Sequence, residues 1–372
     1  MSAKVVHLSS AHPLEDVRIV SKECRTLSRA GYDVTFIGRG ETDREHEGVR
    51  LRSLPHRSGG RLVRMTRTVL DVLKRAIQEN GDLYHLHDPE LLPSGLILKM
   101  LGKRVVFDSH EHVVKDILTK PWMPAEVRRI VALFYGGFQQ FATRFLDGVV
   151  VATDGIAGAF PGRNVVVVQN FPRVSDFEVS PEPYRTRPRR IAYVGAITEI
   201  RGIFPLVQAM NIIGEDRAAR LSLVGSFAPP DLHQRLSREA GWQYVDAYGQ
   251  LTREEVADRL SQARAGIVTL LYAPNHLDSQ PNKLFEYMIA GIPIIASDFP
   301  YWRRFVEDHH SGLMVDPENP EAIAGAITWI LNHPAEAEEM GRRGREAVLE
   351  HYTWESQERW LVEFYESILG RP

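Results

Sequence analysis

The sequence predicts an α/β protein made of two consecutive doubly wound, Rossmann-like domains. Three observations carry that expectation. Short β-branched runs alternate with segments of helical periodicity. The alternation breaks once, over residues 171–190, where four prolines and several charges leave no periodicity. It then resumes, and 372 residues suit two domains at roughly 100–200 residues each. Strands that alternate with helices imply parallel sheets with right-handed crossovers.

In the first half, strands are expected at 4–9, 34–38, 83–87, 104–108, 148–152 and 164–169. Helices are expected at 16–30, 62–78, 91–101 and 125–145. In 16–30, Val17, Val20, Cys24 and Leu27 recur at helical spacing and Gly31 ends the run. In the second half, strands are expected at 191–195, 221–225, 243–248, 266–270, 292–297 and 312–315. Helices fit at 204–213, 231–240, 253–262, 281–290, 301–308 and 320–332. Residues 354–369 form a last helix whose Trp354, Trp360, Phe364 and Tyr365 need a surface to cover. The expected organisation is a first domain over 1–172, a linker over 173–190, a second domain over 191–353, and a helix over 354–372 packing on the first domain.

Composition excludes several classes. Apolar residues make 44% and charged residues 25%, the balance of an ordinary globular protein. No apolar run approaches the roughly 20 residues that span a bilayer. Residues 1–10 lack the apolar core of a signal peptide, so a cytoplasmic protein is expected. One cysteine, Cys24, excludes an internal disulfide and suits core packing. Net charge is −3, but residues 1–172 carry 24 Lys and Arg against 19 Asp and Glu, while residues 173–372 carry 21 against 29. No nucleic-acid-binding motif accompanies the basic half. No Gly-x-Gly-x-x-Gly follows a strand, and Walker and Gly-x-Ser-x-Gly loops are absent. No Asp-x-Asp pair occurs to hold a metal.

Ligands of open α/β sheets bind beyond the carboxyl ends of the strands, and the informative residues lie there. The segment 278–293 reads Asp-Ser-Gln-Pro-Asn-Lys-Leu-Phe-Glu-Tyr-Met-Ile-Ala-Gly-Ile-Pro. Pro281 suits a first helical position and Gly291 the position after a helix end. A helix N-terminus offers free N–H groups to phosphate; Lys283 adds charge, and Glu286 stands one turn in, suited to ribose hydroxyls. Plain helix capping by Asp278 or Ser279 explains the same pattern and stays open at this point.

This segment resembles the acidic-x7-Glu motif of family-4 retaining glycosyltransferases of the GT-B fold. The resemblance implies two Rossmann-like domains facing across a cleft. It places Asp278 against the donor sugar and Glu286 on the nucleotide ribose, with Ser279, Asn282, Lys283 and Leu284 around the nucleotide. Residues 193–203, Tyr-Val-Gly-Ala-Ile-Thr-Glu-Ile-Arg-Gly-Ile, look like the family's Gly-Arg-x4-Lys-Gly loop, whose two cations clamp the diphosphate. Gly195 opens it, Arg201 stands at the lysine place, and Ala196 stands where the arginine would be. Ser-His-Glu-His at 109–112 looks like the strand end from which a histidine reaches the donor sugar, which makes His110 the candidate. The implied catalytic set is His110, Asp278 and Arg201.

The implied reaction moves a sugar, with retention, from a nucleoside diphosphate-sugar to a carbohydrate, lipid-linked or small-molecule acceptor. The donor is a substrate, UDP-sugar favoured, and no metal or other cofactor is implied. Two alternatives stand beside it. A GT-B epimerase shares the fold and nucleotide site. A metal-dependent hydrolase would use His85, His87, His110 and His112, paired at the His-x-His spacing of metal ligands. Two surface readings complete the set. The basic stretch 57–75, with Arg57, Arg61, Arg64, Arg67, Lys74 and Arg75 against Asp71, suits peripheral contact with anionic lipid at the inner face of the plasma membrane. Its apolar face would be Val63, Val69, Leu70, Leu73 and Ile77. Trp122, Met123, Phe134, Tyr135, Phe138 and Phe141 are expected in the core.

Overall fold

The computed structural model describes residues 2–55, 60, 64–120, 123–177, 183–214, 218–277 and 279–370. The chain divides into two compact units, Met1–Asn170 with Ser356–Pro372, and Phe171–Glu355. Each is a Rossmann-like sheet flanked by helices.

The first unit holds β1 (Lys4–Pro13), β2 (Asp33–Arg39), β3 (Arg44–His46), β4 (Val49–Leu54), β5 (Leu83–Leu86), β6 (Arg104–Ser109), β7 (Gly148–Val151) and β8 (Val165–Val167). Their order in the sheet is β3-β4-β2-β1-β5-β6-β7-β8. All neighbours are parallel except β3 on β4. That antiparallel edge was not expected. Its signals are Val49, Leu51 and Leu54, buried between outward arginines, and the turn Glu47-Gly48, where both residues have positive φ.

β1 and β5 separate the two faces by alternation. Val6, Leu8, Tyr84 and Leu86 point to one face and meet Val69, Val72, Leu98 and Ala142. His7, His85 and His87 are buried on the other. Three helices, Val69–Glu79, Leu92–Met100 and Ala125–Thr143, pack in series over the first face. The helix expected at 16–30 is a π-helical stretch, Val17–Cys24, capped by Asp16 and continued as Arg25–Arg29. Cys24 is buried there.

The second unit holds β9 (Arg190–Val194), β10 (Arg220–Val224), β11 (Val245–Gly249), β12 (Ala265–Val268), β13 (Ile294–Ser297) and β14 (Gly312–Val315), ordered β11-β10-β9-β12-β13-β14 and parallel throughout. The inner strands β10, β12 and β13 are buried on both faces, so they read as continuous apolar runs. Residues 171–177 and 184 pack onto this unit. Phe171 and Phe177 enter one of its apolar clusters and Tyr184 another.

Sequence periodicity missed the helix Pro334–His351. Its buried face is Ala337, Gly341, Gly344, Ala347 and Val348, mostly too small to register as apolar. A Cβ on Gly341 would lie 2.3 Å from the Gly291 carbonyl oxygen, so backbone packs on backbone. The expected helix at 231–240 shortens to Leu232–Leu236.

The last helix, Trp354–Leu369, lies from Ser356 onward in the first unit. Its Tyr365 hydroxyl bonds His85 Nδ1 at 2.6 Å, and Glu358 accepts from Thr26. Among the described residues no helix is long and apolar enough to cross a membrane.

One expectation fails clearly. Phe134, Phe138 and Phe141 are exposed, not core. The helix Ala125–Thr143 turns Ala132, Gln139, Ala142 and Thr143 inward instead. Tyr135 and Met123 are half-buried, and Trp122 lies outside the described residues.

Candidate functional site

In the second unit the loops at the strand ends converge on a cationic niche. β9 runs into Gly195, then into a 3₁₀ turn, Glu199–Arg201. Gly202, at φ +73°, closes that turn, where a Cβ would lie 1.9 Å from the Thr269 carbonyl oxygen. Only glycine fits. Gly225 at the end of β10 is equally constrained, 2.0 Å from the Gly195 oxygen by the same construction.

The helix Asn282–Ile289 starts beside this turn. Pro281 precedes it in extended conformation, and no side chain caps it, which leaves N–H groups of its first turn for a ligand or water. Trp302 Nε1 donates to the Ser279 carbonyl at 2.7 Å, and the Ser279 hydroxyl donates to His276 O at 2.8 Å. These bonds fix the entry to the helix. Asp278 lies outside the described residues.

Lys283 leans over the glycine turn. A Cβ on Gly195 would meet its Cε at 2.5 Å and Arg201 Nη1 at 3.6 Å. Its Nζ lies 4.3 Å from the centre of the Tyr193 ring, buried and without a hydrogen-bond partner. Burial, then the Arg201 guanidinium, pulls its pKa down to about 7, against the pull of Glu286. Arg201 Nη1 donates to the Ala196 carbonyl at 3.4 Å, and its guanidinium also bears on the Tyr193 hydroxyl. Among the described residues, no carboxylate is bonded to either of the two cations in this niche.

Glu286 stands one turn deeper with its side chain 17% exposed, and Arg253 Nη2 lies 3.9 Å from its Oε1. Arg253 is anchored on Asp176 at 2.9 Å. The sequence reading missed Arg253, which sits in a helix start, Thr252–Glu255, that shows only a capping box. Asn282 is half-buried at the helix start. Leu284 is fully buried in the core, and its N–H donates to Pro281 O. Gly195, Arg201, Lys283 and Glu286 thus meet at one corner of the unit, while the Leu284 side chain faces away.

In the first unit His110 is held by a carboxylate. Its Nε2 lies 2.8 Å from Asp108 Oδ2, and Arg18 Nη2 donates to both Asp108 oxygens at 3.1 and 3.2 Å. The Arg18 guanidinium, with His110 and His87, holds the Asp108 carboxyl well below the usual range despite burial. A buried chain of rings continues from there. His87 Nδ1 is 3.3 Å from His110, its Nε2 is 2.8 Å from His7 Nδ1, and His7 Nε2 is 3.4 Å from the Tyr365 hydroxyl. Burial lowers the pKa of His87 to about 4 and pushes those of His7 and His85 well below the usual imidazole value. His12 is a second carboxylate-held histidine, 2.8 Å from Asp16 Oδ2.

The four histidines weighed as a metal set do not converge. His112 turns away and caps the helix Val113–Leu118. Among the described residues, ligand-type atoms gather instead as His7, Glu23, His85 and His87, and as His87, Asp108 and His110. Arg18 Nε lies 3.0 Å from Glu23 Oε1, so a guanidinium occupies the position of charge that a cation would take. The residues present do not suit a metal ion.

Comparison with known proteins decides the family. Residues 17–192 match Glycosyltransferase Family 4, and residues 188–333 match Glycosyl transferases group 1. The chain belongs to the family-4, group 1 glycosyltransferases. It is a nucleotide-sugar-dependent glycosyltransferase of the GT-B fold. The chain is 24% identical over 318 residues to MMP alpha-(1->4)-mannosyltransferase of Mycolicibacterium hassiacum, covering 78% of this chain and 72% of that protein. It is 23% identical over 308 residues to phosphatidyl-myo-inositol mannosyltransferase of Mycolicibacterium smegmatis, covering 80% and 74%. Among solved structures, sucrose-phosphate synthase of Thermosynechococcus elongatus superposes with a TM-score of 0.82 at 20% identity over all of both chains. Alr3699/HepE of Anabaena, solved with UDP and glucose, gives 0.73 at 15% identity over 98% of this chain and 100% of that one. These superpositions extend the GT-B fold to this glycosyltransferase over its whole length.

Proposed function

We propose that the second unit binds the nucleoside diphosphate of the donor, and that Arg201 and Lys283 together hold its diphosphate. The observation that carries this reading is the buried, unpartnered ammonium of Lys283 beside Arg201, at the uncapped start of the helix Asn282–Ile289. Two cations with no carboxylate bonded to them among the described residues suit an anion. The alanine at 196 removes one clamp cation of the family pattern, and Lys283 supplies a replacement from the helix. Glu286 accepts from the ribose hydroxyls, with Arg253 limiting its motion. Asp278 contacts the donor sugar. His110, fixed by Asp108, is the first unit's contribution to the reaction.

As the bond from the anomeric carbon to the diphosphate breaks, negative charge grows on the leaving phosphate. Cations already in place stabilise that charge with little reorganisation. No side chain is assigned as a nucleophile, which suits retention by front-face attack with the leaving phosphate as base. UDP-sugar is the favoured donor, as UDP occupies the similar Anabaena protein. The acceptor is a carbohydrate, a lipid-linked acceptor or a small molecule; one similar mannosyltransferase is named for phosphatidyl-myo-inositol. A cytoplasmic site of action follows from a nucleotide-sugar donor.

The test is incubation with a panel of nucleotide-sugars in the presence of EDTA, with products read by mass spectrometry. Nucleoside diphosphate release with a glycosylated acceptor is expected. An altered sugar without acceptor would mean epimerisation, and turnover restored only by zinc or manganese would mean a metal enzyme.

A further inference from the structure

The helix Ala125–Thr143 is amphipathic with its apolar side outward. Val127, Ile130, Phe134, Phe138, Phe141 and the following Phe145 recur at three- and four-residue steps, so they share one face, and every one is exposed. Phe134 is 74% exposed and Phe141 54%. The opposite side, Ala132, Gln139, Ala142 and Thr143, is buried, with Ala142 in the apolar cluster on the sheet's first face. A water-facing helix normally shows the reverse.

The pattern extends across the layer. Of 22 large hydrophobic residues exposed among the described residues, 15 lie between 65 and 145. The neighbouring helix Leu92–Met100 ends in exposed Met100 and Leu101, and the next, Val69–Glu79, exposes Leu70 and Ile77. The charge on the same layer leans positive, although Lys99 and Arg104 are paired with Asp147. Residues 64–79, 92–104 and 125–145 hold ten Lys and Arg against three Asp and Glu. Arg129 and Arg144 pair with no carboxylate among the described residues.

We propose that this three-helix layer of the first unit, centred on the phenylalanine face of Ala125–Thr143, docks on the surface of an anionic lipid bilayer. Apolar side chains would enter the acyl boundary while the surrounding cations meet lipid phosphates. The charge argues for lipid over a second copy of the chain, because a self-complementary contact would set one positively charged surface against another. Of the stretch 57–75, the helix that begins at Val69 belongs to this layer. Arg57, Arg61 and Val63 lie outside the described residues, as does the Arg64 side chain, and Arg75 pairs with Asp43.

Flotation of the full chain with vesicles tests the proposal. Wild type is expected to float with vesicles of equal parts phosphatidylglycerol and phosphatidylcholine, and to stay below with pure phosphatidylcholine at moderate salt. Phe134→Glu with Phe141→Glu should abolish flotation. Arg129→Gln with Arg144→Gln should lower the partition coefficient about thirtyfold, roughly fivefold per arginine. These side chains are exposed, so unchanged UDP binding and thermal melting should certify the fold. Two results would overturn the proposal. One is wild type that floats with neither vesicle. The other is wild type that sediments as a dimer which the phenylalanine variant dissociates, with no vesicle binding.

Discussion

The ammonium of Lys283 sits 4.3 Å from the face of the Tyr193 ring, buried, beside Arg201, with no hydrogen-bond acceptor. Ring face and ammonium attract through the quadrupole, but that contact does not replace the hydration lost. Its titration therefore reports whether an anion is present.

In the empty protein Lys283 titrates near pH 7, below its ordinary value of about 10.4. The unfolded chain holds this proton between those values while the folded chain has released it. Stability from this group accordingly rises with pH from about 7 to about 10. A bound diphosphate favours the charged form and pulls the proton back. Calorimetry of UDP binding at pH 8, in buffers of different ionisation enthalpy, should show uptake approaching one proton. Lys283→Met should show none of that uptake and should flatten the alkaline rise in stability.

Glu286 should act on the ribose. A hydrogen bond to a charged group contributes about 1.5–3 kcal/mol, so Glu286→Ala should weaken UDP binding roughly ten- to hundredfold. Removing the 2′-hydroxyl from UDP should then cost wild type far more than the variant, a coupling that a double-mutant cycle measures. Equal penalties in both proteins would detach Glu286 from the ribose.

Asp108 links the first unit's stability to its histidine. Asp108→Asn removes the carboxylate that both Arg18 Nη2 bonds reach and leaves the buried guanidinium with Glu23 alone, which should cost about 3 kcal/mol in urea unfolding. In wild type the contribution of the depressed Asp108 carboxyl is whole above about pH 4, its ordinary value. It fades as pH falls toward the lowered folded-state pKa. His110 loses its anchor in the same variant. Turnover should fall while UDP affinity, a property of the second unit, holds.

Legibility in the sequence followed side-chain size and loop chemistry. The buried parallel strands, such as Val149–Val151 within β7 and Ile294–Ser297, announced themselves as apolar runs. The helix Pro334–His351 did not, because glycine and alanine carry its packing through backbone contact. The phenylalanine helix misled for the opposite reason. Periodicity identifies an apolar face but not whether that face is the buried one, and here Ala132 and Ala142 are buried in its place. At the site, local motifs named Arg201, Lys283 and Glu286. They could not name Arg253 or Arg18, which reach their partners across long sequence separations: Arg18 lies 90 residues from Asp108.

The central claim is that Arg201 and Lys283 hold the diphosphate, and comparing UDP with uridine tests it most directly. Titration of both ligands into wild type, Arg201→Met and Lys283→Met gives the affinity that the phosphates add in each protein. Each charge-assisted contact is worth about 1.5–3 kcal/mol. The preference for UDP over uridine should therefore shrink roughly ten- to hundredfold in either variant, with uridine affinity unchanged. An undiminished preference for UDP in both variants would contradict the account.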